Sequence, residues 1–330
     1  MRSKIAAVAV GFGVFMIVAA VLVRAYAYPT LATVPASYKG TTMLEATGAE
    51  VLNFETYQPE THDLRIESFT IADSGADTPD GVVVWLNSAT VTREDGSIFQ
   101  QTRERAAFDA VSGAGVDCEE CESWTEAKDG DEVVQEPTVR EGQVYKFPFG
   151  TEKRDYDVWD GTIGESSKAT FEGVEEIDGL SVYKFVQKID ARVVESREVP
   201  GSMFGSTEAS VDAELWYGMN RTFWVEPQTG SPVDRVEERT QELRYDGIAV
   251  PVFNGTVQYT DQQVSDLING TKDMKGAKEN GMMLGGAKLL YPLVMGLVGL
   301  VLLAAGLFLG RSARSHKRDE AEPRKDLVKA

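Results

Sequence analysis

The sequence predicts a mainly β fold: a single extracytoplasmic barrel-like or curved-sheet domain between two transmembrane helices. Two continuous apolar runs, residues 5–23 and 289–309, lie near the ends of the chain. Between them, short stretches rich in β-branched and aromatic residues are separated by turns, a pattern typical of antiparallel strands. Both ends of this middle region must return to one membrane face, which favours a sheet that curls on itself.

The two apolar runs have the length of membrane spans. At about 1.5 Å rise per residue, each helix is roughly 28–32 Å long, enough for the hydrocarbon core of a bilayer. The first run has an alternative interpretation as a cleaved signal peptide, because Met1–Lys4 is charged and Ala25-Tyr26-Ala27 resembles a cleavage site. Its length and the intervening Arg24 favour a retained anchor. Three glycines of the second run are candidates for helix contacts: Gly296, Gly299 and Gly306.

The distribution of charge predicts the orientation of the chain. Lysine and arginine residues lie at the outer ends of both apolar runs, so residues 1–4 and the basic tail 310–330 are expected in the cytoplasm. Residues 25–287 are then expected outside, which makes the chain a two-pass protein of the cell membrane. They carry 22 basic and 48 acidic side chains. So acidic a domain argues against a nucleic-acid partner, which requires a basic face.

Three pairs of segments separated by turns are predicted as neighbouring strands. In the middle pair the turn contains Asp178-Gly179, a sequence preferred in two-residue hairpins. Outside the apolar runs, helical signal is limited to residues 261–278. The paired segments are 81–92 with 97–108, 168–176 with 180–189, and 214–225 with 233–245.

The two cysteines, Cys118 and Cys121, are predicted to form a disulfide because they lie in the exported region. Acidic neighbours disfavour the thiolate that a redox role would need. A zinc site is a further alternative, although nothing marks its additional ligands. Acidic clusters at 77–80 and 129–136 lack the spacing of a calcium loop, so they are interpreted as solvated loops.

No residue pattern identifies an active site. The chain has two histidines, His62 and His316, which disfavours a His-rich metal centre or a serine-histidine-aspartate triad. We therefore expect a non-enzymatic protein without a cofactor or a resident metal. The tryptophans are expected in the core, and an apolar ligand cavity is the alternative for the aromatic residues. The candidate lining residues for lipid are Trp85, Phe147, Phe149, Trp159, Trp216 and Trp224.

Several stretches resemble the actinobacterial PorA-like family. The resemblance covers both apolar runs and nearly all of the region between them. Ala110 departs from it, because a basic residue is expected there after the aspartate. The matching stretches are RAAFDAVSG at 105–113, YKFPFGTEKRDYDVWD at 145–160, VEEIDGLSVYKF at 174–185, VPG at 199–201 and RTFWVEPQTG at 221–230.

The resemblance implies a two-anchor membrane protein with a barrel-like exported domain. Some relatives are associated with maturation of cell-envelope lipoglycans and with lipid binding in an internal cavity. The expected ligands are therefore membrane lipids, a lipoglycan or its precursors, and envelope biosynthesis proteins are a further class of partner. The leading hypothesis is non-enzymatic handling of lipid or lipoglycan, with an apolar interior that shelters acyl chains.

Two alternative functions stay open at this point. The family label also names a porin, but an outer-membrane barrel needs strands with an apolar lipid-facing side, and this β region is strongly acidic. A channel would therefore be formed by the apolar helices of several chains. The second alternative is an assembly or sensing partner of envelope enzymes.

Overall fold

The computed structural model describes residues 2–129 and 132–319. The chain forms two compact units, one built from the terminal helices and the other, β-rich, comprising Thr33–Gly281. The predicted fold class, a mainly β domain between two apolar helices, is confirmed. The predicted cytoplasmic segments 1–4 and 310–330 and the acidic cluster 129–136 lie partly outside the described residues.

The apolar runs form helices that extend beyond the predicted spans. The continuous helical stretches Lys4–Leu31 and Ala277–Arg311 are long and apolar enough to cross a membrane. Residues 25–31 and 277–287, predicted as the ends of the exported domain, therefore continue the helices. The helices are α1 (Arg2–Leu22), α2 (Tyr28–Leu31), α3 (Asp261–Asn269), α4 (Ala277–Gly285) and α5 (Tyr291–Asp319).

A Tyr-Pro pair explains an irregular turn in each long helix. The π-helical turn Val23–Ala27 directly precedes Tyr28-Pro29, and the π-helical turn Gly286–Leu290 directly precedes Tyr291-Pro292. Proline lacks an N–H and its ring displaces the carbonyl four residues earlier. A wider turn accommodates that displaced carbonyl without ending the helix. Hydropathy alone therefore marks the apolar span but not the end of the helix.

Helices α1 and α5 pack closely because glycines lie at their contact. A Cβ atom added at Gly13 would lie 2.7 Å from the carbonyl oxygen of Gly299, and one at Gly306 would lie 2.9 Å from the carbonyl oxygen of Ala6. Early residues of α1 thus meet late residues of α5, so the two helices are antiparallel. Of the glycines predicted to contact a helix, Gly299 and Gly306 do so, whereas a Cβ at Gly296 would meet no atom within 4 Å.

We expect Gly299→Leu to separate α1 from α5, because its side chain would begin 2.8 Å from the carbonyl oxygen of Gly13. Gly296→Leu, which faces open space, is the matched control. The measurement is disulfide cross-linking between Ala6→Cys and Gly310→Cys, since a Cβ at Gly310 lies 3.9 Å from that of Ala6, a distance suited to a disulfide. Cross-linking should fall several-fold only in Gly299→Leu. Equal yields in the two variants would contradict the close packing.

Within the described residues, the β-rich unit has one twelve-stranded antiparallel sheet in the order β6-β5-β4-β3-β2-β1-β12-β11-β10-β9-β8-β7. Consecutive strands pair, except β6 and β7, and the first strand pairs with the last. The sheet is therefore a meander with β6 and β7 at its edges. The strands are β1 Lys39–Asn53, β2 Gln58–Ala72, β3 Val82–Arg93, β4 Ile98–Asp109, β5 Trp124–Asp129, β6 Glu132–Pro137, β7 Tyr156–Asp160, β8 Glu165–Ile177, β9 Leu180–Pro200, β10 Ser210–Glu226, β11 Ser231–Tyr245 and β12 Ile248–Tyr259.

The three predicted strand pairs are confirmed as β3–β4, β8–β9 and β10–β11. The turn between β8 and β9 has positive φ at both central residues, 49° at Asp178 and 74° at Gly179. Such a turn matches the right-handed twist of the flanking strands, which is why Asp-Gly is favoured there. The helical signal at 261–278 corresponds to α3 and the start of α4.

Backbone hydrogen bonds join β4 to β7 at one end of the open sheet. Phe108 of β4 forms a bridge with Gly115, whose N–H donates to the carbonyl of Gly142 at 2.8 Å. The N–H of Gln143 in turn donates to the carbonyl of Asp157 of β7 at 2.7 Å. The sheet is therefore closed at the end where the chain enters β1 and leaves β12, although β6 and β7 do not pair.

Residues 143–150, here called the crossing segment, run across this closed end. The N–H of Phe147 donates to the carbonyl of Gly230 at 2.8 Å, and the N–H of Phe149 donates to the carbonyl of Val111 at 3.0 Å. Gly230 has a φ of +71°, and a Cβ there would lie 2.0 Å from the carbonyl oxygen of Phe147. Only glycine fits this position. The segment is thereby fixed to the β10–β11 turn on one side and to the loop after β4 on the other.

Candidate functional site

The crossing segment identifies one face of the sheet as its interior. Tyr145 packs against Trp85 of β3 with ring centroids 5.1 Å apart, and Phe147 packs against Phe185 of β9 with centroids 4.6 Å apart. The strand register places Trp85 and Phe185 on the same face of the continuous sheet. The crossing segment thus touches this face through Tyr145 on one half of the sheet and through Phe147 on the other half. A short segment that contacts both halves must lie between them, so this face lines the interior of the curved sheet.

Aromatic side chains fill the interior at the closed end. Among the predicted lipid-contacting residues, Trp85 and Phe147 are 8% and 2% exposed, and Phe149 is half-buried. The rings meet in stacked and edge-to-face pairs, which hold them in a rigid arrangement. One cluster contains Tyr38, Trp85, Phe108, Tyr145 and Phe149, and the second contains Phe147, Tyr156, Phe171, Phe185 and Phe223.

Lys146 of the crossing segment carries a buried amine. Its Nζ donates to the carbonyl of Phe147 at 2.7 Å and lies 3.8 Å from the ring centroid of Phe149. Burial lowers the pKa of Lys146 to about 7, and the charge of Asp109 only partly opposes this effect. The sequence analysis did not single out this residue. The sequence feature that could have pointed to Lys146 is the presence of a lysine inside the otherwise apolar stretch YKFPF.

Further along the interior face lies a set of charged side chains, here called the ionic layer: Asp160, Arg221, Arg235, Glu237 and Arg239. Arg221 Nη2 lies 3.1 Å from Asp160 Oδ2, and Arg221 Nε lies 2.9 Å from Glu237 Oε2. The Arg235 Nε lies 3.4 Å from the same Glu237 oxygen. Burial alone would raise the pKa of Glu237, but the three arginines outweigh it and hold that pKa at about 2.

Neutral polar groups complete the contacts of Asp160 and Arg221. Tyr217 donates its hydroxyl to Asp160 Oδ2 at 3.1 Å, and the N–H groups of Thr162 and Ile163 donate to Asp160 Oδ1. Arg221 Nη1 donates to the side-chain oxygen of Gln187 at 2.9 Å. Asp160 is only 2% exposed, so these bonds replace its hydration.

The other half of the sheet also presents polar groups to the interior. Asn87 of β3 donates to Ser68 Oγ at 2.8 Å and to Thr70 Oγ1 at 2.7 Å. All three side chains are half-buried, so they are within reach of solvent. Polar groups therefore lie on the interior face of both halves of the sheet. Between them, β1, β2 and β12 contribute a further buried apolar cluster, so the predicted apolar interior extends beyond the closed end.

Three of the predicted aromatic residues face away from the interior. Trp216 and Trp224 alternate along β10 with interior-facing residues and lie near the charged side chains of Arg244 and Glu175. Trp159 alternates with Val158 and Asp160 in the same way. The structure thus brings together Trp85, Phe147 and Phe149 but not these three. Successive side chains of a strand point to opposite faces, so the alternation of residues along these strands indicates in the sequence which side chains face outward.

The predicted disulfide between Cys118 and Cys121 is present, with Cα atoms 5.3 Å apart. It closes a single 3₁₀ turn, and Cys121 is fully buried. The guanidinium of Arg105 donates to the carbonyl of Cys121 and to the carboxylate of Asp73, the latter at 3.0 Å. The bond and the arginine together fix the loop between β4 and β5. Their role is structural, since neither contacts the interior-facing ionic layer.

Two of the pockets on the β-rich unit are lined by none of the predicted lipid-contacting residues. One, of about 260 Å³, lies beside β7 and contains Arg154, Asp157 and Lys168. The other, of about 440 Å³, crosses strands β9 to β12 and includes Asn220 and Arg239. The lining of the first is mainly polar and that of the second is about half polar, which suits water or a hydrophilic group better than an acyl chain.

Comparison with known proteins gives a match over most of the chain. The family model described as Porin PorA matches residues 5–308. A protein named Porin PorA from Corynebacterium resistens is 25% identical over 242 residues, which cover 55% of this chain and 59% of that protein. A Porin PorA from Corynebacterium amycolatum is 27% identical over 173 residues, covering 44% and 45%. The matched region thus spans about half the length of these relatives.

Solved structures give weak likenesses. A protein from Bacteroides fragilis, described as exported and as having a YmcC-like fold, is 8% identical with a TM-score of 0.17, over 70% of this chain and 92% of that one. A lipoprotein from Parabacteroides distasonis is 8% identical with a TM-score of 0.16, over 67% and 89%. These scores are too low to inform fold or function.

Proposed function

The chain belongs to the PorA family, and from that membership together with the sheet interior we propose that it is a non-enzymatic cell-envelope protein that binds an amphiphilic lipid or lipoglycan. The single observation that carries this proposal is the composition of the interior. Aromatic rings fill its closed end, and charged and neutral polar side chains lie on both sides of an apolar cluster formed by β1, β2 and β12. The interior therefore offers both apolar and polar contacts, as an amphiphilic ligand requires.

The interior favours the polar part of such a ligand as the main point of recognition. The forked guanidinium groups of the arginines and the side-chain amide groups can donate hydrogen bonds to a charged headgroup or to sugar hydroxyls. Aromatic rings supply apolar contact and also stack on flat apolar faces. The expected apolar interior that shelters acyl chains is therefore joined, in this proposal, by polar groups that hold the headgroup inside the sheet.

We place the chain in the cell membrane with both ends in the cytoplasm and the β-rich unit outside. The supporting observation is the excess of lysine and arginine at the outer ends of both apolar helices. The antiparallel packing of α1 and α5 agrees with two spans that start and end on one side. Envelope biosynthesis proteins are then the class of partner that would deliver or accept the bound molecule.

The test is native mass spectrometry of the full chain, purified in a mild detergent from an actinobacterial host, with extraction of bound lipid. We expect one lipid or lipoglycan species per chain. Trp85→Ala, inside the sheet, should reduce its occupancy, whereas Trp216→Ala, on the outer face, should not. Purified chains that carry no amphiphile, or equal occupancy in both variants, would overturn the proposal.

The second candidate function is a channel, as the name of the relatives says. The observation that favours it is the close pair of apolar helices, which could associate with further copies. The outer face of the sheet carries exposed charges such as Lys188, Asp190 and Glu238, so that face does not suit lipid contact. Stepwise conductance of the reconstituted full chain in a planar bilayer would support the channel, and its absence at saturating protein would exclude it.

A further inference from the structure

The ionic layer contains more positive than negative charge. Its cations are Arg221, Arg235 and Arg239, and its anions are Asp160 and Glu237. The excess is notable because residues 25–287 carry 48 acidic and 22 basic side chains overall. An unbalanced cation in a half-buried position lacks the compensation that such groups usually have.

The hydrogen bonds assign the excess charge to Arg239. Asp160 is saturated by Arg221, Tyr217 and two backbone N–H groups, and Glu237 is shared by Arg221 and Arg235. Among the described residues, Arg239 forms no ion pair, whereas Arg221 and Arg235 both do. In the same part of the chain, the buried Nε of Arg239 has no hydrogen-bond partner, as is also true of the Nε atoms of the other two arginines. The Arg239 guanidinium is held over the ring of Phe253, 4.2 Å from the centroid.

Two of the residues beside Arg239 on the interior face are small and pack closely against each other. The cross-strand neighbours of Arg239 on β10 and β12 are Met219 and Gly255, and the glycine has no side chain. A Cβ at Gly255 would lie 3.0 Å from that of Ala49, the next residue along this row. The interior surface beside Arg239 is therefore formed in part by the small residues Gly255 and Ala49.

A second arginine extends this surface. Arg235 lies on the same face of β11, on the other side of Glu237, and its side chain is 29% exposed. Its guanidinium lies over the ring of Tyr259, 5.4 Å from the centroid. Burial raises the pKa of Tyr259, so its hydroxyl is a neutral hydrogen-bond donor at neutral pH.

We propose that Arg239, assisted by Arg235, binds the phosphate ester of an anionic amphiphile inside the sheet. A phosphate offers several strong acceptor oxygens and can take charge-assisted hydrogen bonds from the Arg239 guanidinium without displacing Glu237 from its own ion pairs. This inference rests on the proposed function, because it names the headgroup of the molecule that the interior binds. The aromatic closed end would then contact the apolar part.

The experiment is calorimetric titration of the full chain in dodecyl maltoside micelles with three probes: dibutanoyl phosphatidic acid, dibutanoylglycerol and inorganic phosphate. We expect phosphatidic acid to bind and Arg239→Gln to weaken it about tenfold, the loss of one charge-assisted hydrogen bond. Arg239→Lys should give an intermediate loss and guards against misfolding. Arg244→Gln is the matched control, because Arg244 lies on the same strand but faces outward and pairs with Glu242.

The outcomes separate this inference from the proposed function. Equal binding of phosphatidic acid and dibutanoylglycerol, with no effect of Arg239→Gln, would overturn the phosphate site but leave amphiphile binding intact. Inorganic phosphate that binds as tightly as phosphatidic acid would support the anion site and overturn the amphiphile. Equal weakening by Arg239→Gln and Arg244→Gln, or no binding of any probe, would overturn the inference.

Discussion

Arg221→Met is expected to lower the free energy of unfolding of the β-rich unit by about 3–5 kcal/mol, because it leaves buried Asp160 without an ion-pair partner and buried Glu237 with Arg235 as its remaining one. Asp160 and Glu237 both contact this guanidinium and are nearly inaccessible to water. The measurement is urea denaturation followed by tryptophan fluorescence. Arg244→Met is the control, since its partner Glu242 is partly exposed and such a pair contributes about 0–1 kcal/mol.

The effect of Arg221→Met should depend on pH. The pKa of Glu237 lies at about 2 in the folded protein, below its ordinary value of 4.5. A lowered folded-state pKa adds stability that is complete above pH 4.5 and is lost as the pH falls towards 2. The difference between the wild-type protein and Arg221→Met should therefore shrink across this range. A difference that is constant from pH 7 to pH 3 would contradict the role given to Glu237.

Phe147→Ala is expected to lower the free energy of unfolding by about 3–5 kcal/mol, the usual cost of removing a large buried aromatic side chain. The ring contacts Phe185, Phe223 and Tyr156 at centroid distances of 4.6, 5.6 and 5.5 Å. It also anchors the crossing segment, so its loss leaves a cavity at the closed end. Urea denaturation of the full chain measures the effect.

The control for Phe147→Ala is Phe54→Ala, since Phe54 follows β1 and is 52% exposed. Truncating an exposed ring should change stability by less than about 0.5 kcal/mol. A loss at Phe147 no larger than that at Phe54 would show that the crossing segment is not packed into the interior as described.

Local signals in the sequence predicted much of the fold. The apolar runs identify the spans because each residue adds its own transfer free energy to a single helix. The Asp178-Gly179 turn identifies its hairpin because the strands are neighbours in the chain and the turn sets their register. The disulfide was predictable because its cysteines are three residues apart. All of these features depend on contacts within about twenty residues.

The candidate site was only partly predictable. Of the six residues predicted to contact lipid, Trp85, Phe147 and Phe149 lie at the closed end, whereas Trp159, Trp216 and Trp224 face the other way. Their contact with lipid stays a prediction. The ionic layer was missed, because a single charged residue in a strand resembles a solvated one. The available signal was alternation: Arg221 stands between Met219 and Phe223, in the row of β10 that is otherwise buried.

The sequence by itself determined the two apolar helices, the β class, the strand pairs joined by short turns and the acidic character of the region between the helices. Only the tertiary structure decided that β1 pairs with β12, that residues 143–150 cross the closed end, and that Asp160, Arg221 and Glu237 meet. These contacts join residues far apart in the chain. Which of these distant residues meet depends on the packing of the whole sheet, and a short stretch of sequence does not specify that packing.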